Sequence, residues 1–150
     1  MNALRSFLLR SYTDFGLLVL RLFAGLLMMF PHGLSKLTGF PEKVSTFADP
    51  LGLGPGLSLT LVVFAEFFCA AAVVLGFMTR FALIPLIINM AVIAFVVHGD
   101  DPWAKKEFAL LFGAPYLALL FTGPGRFSLD AMLFNRNRPA MSGEIKRQAV

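Results

Sequence analysis

The sequence is poor in the residues that cover soluble proteins and in those that build disulfide or metal frameworks. Only 15% of its 150 residues are charged, and it has one cysteine, one tryptophan and two histidines. The single thiol, Cys69, excludes an internal disulfide, a CxxC redox pair and a four-cysteine iron–sulfur site. If the protein takes part in redox chemistry, something other than its cysteines must carry the electrons.

Apolar residues take the place of the missing charge. They make up 57% of the chain, and the mean hydropathy is +0.76. Soluble domains contain about 45–50% apolar and about 25% charged residues, so this composition indicates a membrane protein. The net charge is +4, but the basic residues lie at the ends of apolar runs. This placement points to orientation in a membrane, and we expect no nucleic-acid partner.

Four apolar runs predict four membrane-spanning helices, at 15–31, 57–78, 81–97 and 108–122. A spanning helix needs about 20 residues, and the fourth run is short and contains Gly113 and Pro115, so neighbouring protein must cover it. We therefore predict an all-α, transmembrane four-helix bundle over residues 1–134. Residues 135–150 are predicted to form a basic, disordered cytoplasmic tail. Ser128 is placed to cap a short amphipathic helix that ends at 134.

The distribution of lysine and arginine predicts the orientation. Four spans put both termini on one side together with the turn at Arg80, and that side has eight basic residues. They are Arg5, Arg10, Arg80, Arg126, Arg136, Arg138, Lys146 and Arg147. The opposite side has four, Lys36, Lys43, Lys105 and Lys106. Since positive loops stay in the cytoplasm, both termini are predicted to be cytoplasmic.

Two charged residues lie well inside the predicted spans, Arg21 and Glu66. A charge at a helix centre costs about 2.5–3.5 kcal/mol on insertion scales, so each is a functional candidate. A structural interpretation is an Arg21–Glu66 ion pair. The functional interpretation is that Glu66 holds or relays a proton, or binds a polar headgroup. At 100° per residue, Arg21 shares one stripe of the first helix with Gly25, His32 and Lys36.

Helix direction brings further polar residues to the outer end of the bundle. His98 ends the third helix there, level with His32, and Glu107 begins the fourth. The Gly- and Pro-rich segment 50–56 belongs to the same end and can cover this cluster. Because the cluster lies at the outer end of the bundle, we predict a site that opens to the outer side. The candidate catalytic residues are Glu66, His32 and His98, and the candidate binding residues are Arg21, Lys36, Asn89 and Glu107.

Other interpretations of this cluster stay open. Interfaces are polar in any membrane protein, Lys36 can simply extend to the surface, and Asn89 can bond a neighbouring helix. Two histidines can ligate haem or a metal, but no spacing motif supports either, and we predict no metal site.

Five segments together resemble the DoxX family. They are LRLFAG at 20–25, HGLSKLTGF at 32–40, Glu66, LGFMTR at 75–80 and GPGRFSLD at 123–130. The resemblance extends over about residues 13–134. It implies a four-helix protein of the bacterial cytoplasmic membrane.

The family takes its name from a membrane subunit of thiosulfate–quinone oxidoreductase. The resemblance therefore implies a membrane subunit of a quinone-linked oxidoreductase, with quinone as the ligand and a soluble or membrane redox partner or a second copy as partner. The alternative is a non-enzymatic scaffold or small-solute carrier with a structural Arg–Glu pair.

Overall fold

The computed structural model describes residues 12–134, and within that range the secondary structure is helical, without strands. Its four long helices are α1 (Thr13–Thr38), α3 (Pro55–Leu75), α4 (Thr79–Val97) and α5 (Trp103–Thr122). Two short helices are α2 (Phe40–Lys43) and α6 (Leu129–Phe134). The predicted all-α class is confirmed. The predicted tail, 135–150, lies outside the described residues.

Three of the long helices, α1, α3 and α4, are long and apolar enough to cross a membrane. Helix α5 has 20 residues but carries Lys105, Lys106 and Glu107 near its start. Helix α1 packs on α3 and α5, and α4 packs on the same two helices, so the four form a closed ring. Helix α5 buries Ala109 and Tyr116 in the core of the bundle. The neighbouring helices therefore cover this face of α5.

Glycines allow α1 and α3 to cross closely. A Cβ at Gly25 would collide with Val74, and a Cβ at Gly33 would collide with the backbone of Glu66. Small residues permit this kind of approach between membrane helices, where packing replaces the hydrophobic effect. The backbone of the candidate residue Glu66 is therefore held directly against α1.

Helices α1, α3 and α4 each contain a π-helical segment: Met29–Leu34 in α1, Phe64–Cys69 in α3 and Ile93–Val97 in α4. In α1 the segment contains Pro31, which lacks the N–H that a regular α-helix would use. A π-helical turn holds more residues than an α-helical one, so side chains beyond it fall out of phase. The single stripe predicted for α1 is consequently divided.

We name the two ends of the bundle by residues that mark them. The Arg80 end contains the turn between α3 and α4, where Gly76 and Met78 have positive φ of 68° and 44°. Asp130 closes this turn by accepting hydrogen bonds from Met78 N (2.7 Å) and Thr79 N (2.9 Å). The His98 end contains the connection between α1 and α3. The predicted cap is confirmed, because Ala131 N donates to Ser128 Oγ (3.1 Å) at the start of α6.

Candidate functional site

A polar cluster inside the bundle is centred on the carboxylate of Glu66, which is only 2% exposed. Lys36 Nζ donates a hydrogen bond to Glu66 Oε2 at 2.6 Å, and Asn89 Nδ2 donates to Glu66 Oε1 at 3.0 Å. Three helices, α1, α3 and α4, contribute one residue each. Both carboxylate oxygens thus have a donor, which is what allows a charged group to stay buried.

The structure corrects the predicted Arg21–Glu66 pair, because Lys36 is the cation bound to Glu66. Arg21 lies 15 residues before Lys36, about 22 Å along α1 at 1.5 Å per residue. Side chains of a helix also lean toward its N-terminus. In α1 this direction takes Lys36 down into the bundle toward Glu66 and takes Arg21 away from it. The structural Arg21–Glu66 pair that accompanied the scaffold or carrier interpretation is therefore not present.

Arg21 instead holds the segment that follows α5. Its guanidinium donates to the carbonyl oxygens of Pro124 (3.3 Å) and Phe127, and it lies against Gly76, where a Cβ would collide with it. Arg21 is 2% exposed, and its Nε has no hydrogen-bond partner among residues 12–134. We conclude that Arg21 fixes the Arg80 end and does not belong to the Glu66 cluster.

A cavity of about 490 Å³ leads from the His98 end to this cluster. Small-molecule sites commonly measure about 300–1,000 Å³, with apolar walls and a few polar groups. The walls here come mainly from α3 and α4. The polar groups among the lining residues are Lys36, Ser58, Glu66, Asn89 and His98. The cavity can therefore hold a small, mostly apolar molecule whose polar part faces Glu66 and Lys36.

The connection between α1 and α3 covers the cavity at the His98 end. Phe47, Pro50 and Leu51 are among its lining residues. Asp49 fixes this connection, since its carboxylate accepts hydrogen bonds from Gly54 N (2.8 Å) and Ser58 Oγ (2.8 Å). The bond from the Ser58 hydroxyl, with those from backbone N–H groups, lowers the pKa of Asp49 below its usual value. The predicted covering role of segment 50–56 thus begins three residues earlier, at Phe47.

His98 lies at the mouth of the cavity. Its Nδ1 is 2.8 Å from Asp101 Oδ2, and Lys105 Nζ donates to Asp101 Oδ1 at 3.0 Å. The bond to His98, followed by the bond to Lys105, lowers the pKa of Asp101. This chain of polar groups connects the cavity mouth to the exposed surface at the start of α5.

Besides Arg21, two more of the predicted site residues lie elsewhere. His32 packs against the rings of Phe108 (5.3 Å between centroids) and Phe112 (6.1 Å) of α5 and is not among the cavity-lining residues. Glu107 is exposed and does not line the cavity. The π-helical segment before Ser35 accounts for the separation of His32 from Lys36. The predicted cluster is therefore brought together only in part, as Lys36, Glu66 and His98.

Asp49, which fixes the cover, was not predicted from the sequence as a site residue. A signal was present, because Asp49 stands just before the Gly- and Pro-rich start of α3, and aspartate is a preferred residue for capping helix starts and turns. Asn89 was named, although nothing in the sequence identified Glu66 as its partner.

These observations define a small helical membrane protein with one polar cluster enclosed in its bundle. The DoxX family profile matches residues 16–99, which include α3, α4 and all three members of the cluster. The chain therefore belongs to the DoxX family.

Two relatives extend the comparison. Inner membrane protein YqjF of Escherichia coli (strain K12) is 29% identical over 131 residues, 83% of this chain and 97% of the relative. Membrane protein Rv3486 of Mycobacterium tuberculosis (strain ATCC 25618 / H37Rv) is 30% identical over 122 residues, 63% of this chain and 74% of the relative. No solved structure matches the chain.

Proposed function

We propose that the cavity binds the headgroup of a quinone and that the protein is the membrane subunit of a quinone-linked oxidoreductase. One observation carries this proposal: a buried carboxylate, bonded to Lys36 and Asn89, lies at the inner end of an otherwise apolar cavity. A quinone headgroup is an apolar ring with two carbonyl acceptors, so it needs apolar walls and a small number of donors.

The charges of the cluster suit a neutral ligand. Glu66 and Lys36 neutralise one another, so neither an anion nor a cation would gain a free opposite charge in the cavity. The Lys36 ammonium has three N–H donors. One is bonded to Glu66, which leaves others for a quinone carbonyl.

Protons and electrons come from different sources in this proposal. Reduction of a quinone to the quinol takes two electrons and two protons. A redox partner protein with a reduced two-electron centre supplies the electrons and is itself oxidised. Glu66 is placed to take up a proton and pass it to a quinone oxygen. His98, which is linked through Asp101 to the exposed surface, is placed to resupply the proton from water, since an imidazole can both accept and donate one. His32 and Glu107 take no part in this site.

Quinone binding in nanodiscs tests the proposal. A benzoquinone with a ten-carbon tail is titrated into wild type, Lys36→Met and Glu66→Gln. Lys36→Met should bind about tenfold more weakly, which corresponds to the loss of one hydrogen bond from a charged donor. Glu66→Gln should also bind more weakly, because it removes the carboxylate that positions the Lys36 ammonium. Matched controls remove the same charges outside the cavity, Lys105→Met and Glu42→Gln, and should bind like wild type. A quinone site would be excluded if the wild-type protein does not bind the quinone. It would also be excluded if the control variants bind the quinone as weakly as the cavity variants do.

We further propose that the protein lies in the bacterial cytoplasmic membrane with the Arg80 end inside. The inner-membrane relative supports the choice of membrane. The count of eight basic residues on the side of the Arg80 end against four on the opposite side supports the orientation. Single cysteines are introduced at Asp100 and Asn137 in a Cys69→Ala background, and intact cells are treated with an impermeant maleimide. Position 100 should react and position 137 should not. The reverse pattern would place the cavity mouth on the cytoplasmic side.

A further inference from the structure

The cavity lies where α3 and α4 separate. Helix α3 packs on α4 through Phe64–Cys69 and Ala70–Leu75, the part nearer the Arg80 end. Its first part, Pro55–Val63, packs mainly on the second half of α1. The two helices are therefore in contact on the Arg80 side of Glu66, and a gap lies between them on the His98 side.

The edges of this gap face the surroundings of the protein. Leu61 and Phe64 of α3 and Ile88 of α4 all line the cavity, yet they are 48%, 50% and 57% exposed. All three lie within the helices that are long and apolar enough to span. The surroundings at these positions are thus the hydrocarbon of the bilayer, so the cavity has an apolar side opening.

The opposite route, from water, is covered. The connection before α3 lies over the His98 end of the cavity and places Phe47, Pro50 and Leu51 in its lining. Asp49 fixes this cover to Ser58 in the first turn of α3. Leu51 is itself 54% exposed, so exposure does not distinguish the two routes, but the hydrogen bonds of Asp49 do. A ligand from water would have to displace a connection that these bonds fix, whereas a ligand from the bilayer meets only side chains at the edge of the gap.

We propose that the ligand is a membrane-dissolved molecule with a neutral, hydrogen-bonding head and a long alkyl or isoprenoid tail, which reaches Glu66 sideways between α3 and α4. This inference rests on the proposed function and specifies its substrate class and path. The head bonds Lys36 and lies beside Asn89, which also lines the cavity. The tail stays in the gap, between Leu61 and Ile88, and continues into the bilayer.

A photoreactive quinone tests the path. A diazirine is placed on the first carbons of the tail, the protein is irradiated in nanodiscs, and labelled positions are located by mass spectrometry. Labels should fall at positions 61, 64 and 88, and excess unlabelled quinone should suppress them. Labels in 47–53 would instead show a tail that leaves through the cover and would overturn the inference, while quinone binding itself would stand.

A matched pair of variants provides a second measurement. Ile88→Trp fills the edge of the gap and should reduce quinone binding and labelling about tenfold by overpacking. Ile84→Trp lies one turn away on the same helix, is similarly exposed and does not line the cavity, so it should behave like wild type. Equal effects of the two variants would contradict the side opening. Absence of any saturable binding by wild type would instead reject the proposed function.

Discussion

Replacing Lys36 with methionine should destabilise the bundle by an amount that depends on pH. The substitution keeps the apolar stem but removes the only cation bonded to Glu66 among the described residues. Breaking a buried pair from one side costs about 3–5 kcal/mol, because the remaining charge is left uncompensated. Protonation limits this cost. At pH 7 it takes about 3.7 kcal/mol to protonate an ordinary glutamate, since each pH unit above its midpoint of about 4.3 adds about 1.4 kcal/mol.

The two partners should differ in their response. Glu66→Gln leaves an ammonium whose side chain is 23% exposed and can extend toward water, so we expect a loss of only about 1 kcal/mol. The double variant has no buried charge and should also lose about 1 kcal/mol, so the coupling energy at pH 7 is about 3–4 kcal/mol.

Reversible unfolding in mixed detergent micelles, followed by circular dichroism at pH 5, 6 and 7, measures the cycle. The deficit of Lys36→Met should shrink by about 1.4 kcal/mol for each unit by which the pH is lowered, while the double variant stays level. A coupling energy below about 0.5 kcal/mol, or a deficit that does not change with pH, would refute an ion pair at this position.

Arg21→Gln should lower the unfolding free energy by about 2–4 kcal/mol through the loss of charge-assisted bonds to two carbonyls. Combined with Glu66→Gln in the same assay, it should be additive within about 0.5 kcal/mol, since the two groups do not share partners. Asp130→Ala removes the cap of α4 and should cost about 1–2 kcal/mol, whereas the exposed Asp100→Ala should cost almost nothing. Because the pKa of Asp49 is lowered, its ionised form stabilises the fold above about pH 4 and this stability is lost as pH falls through the lowered pKa, so Asp49→Asn should flatten Tm against pH between about 2 and 5.

The spanning helices could be predicted from the sequence because hydrocarbon imposes a length and a composition on them. The predicted runs at 57–78 and 81–97 differ from α3 and α4 by a few residues at their ends. The apolar run at 15–31 is shorter than α1, which continues to Thr38 through His32 and Lys36, the two residues that were already placed on this helix from the sequence. The apolar run thus ends before the helix does. Backbone hydrogen bonds can continue a helix beyond its apolar residues, because they do not depend on the polarity of the side chains.

The ion pair was predicted incorrectly for two physical reasons. The depth of each residue along the helix axis was estimated from its position in the helix. Long side chains lean toward the helix N-terminus, so their ends lie about one turn nearer the N-terminus than their own Cα atoms. The helical projection also assumed a constant 100° per residue, and the π-helical segment Met29–Leu34 breaks that phase between Arg21 and Lys36. Neither effect can be recognised from hydrophobic periodicity, because a continuous apolar run has the same pattern whether it forms an α-helix or a π-helical segment.

The same two effects explain why one bundle keeps two cations, the buried Arg21 and the partly exposed Lys36, for different purposes. Both Arg21 and Lys36 lean toward the start of α1, but Arg21 thereby meets the backbone carbonyls of the segment after α5, which are fixed acceptors without charge. Lys36 meets a carboxylate that can gain or lose a proton, at the wall of a cavity. A guanidinium that stays charged and bonds several carbonyls suits a permanent closure of the Arg80 end. An ammonium on a flexible stem, paired with a titratable acid, suits a site where a ligand and a proton come and go.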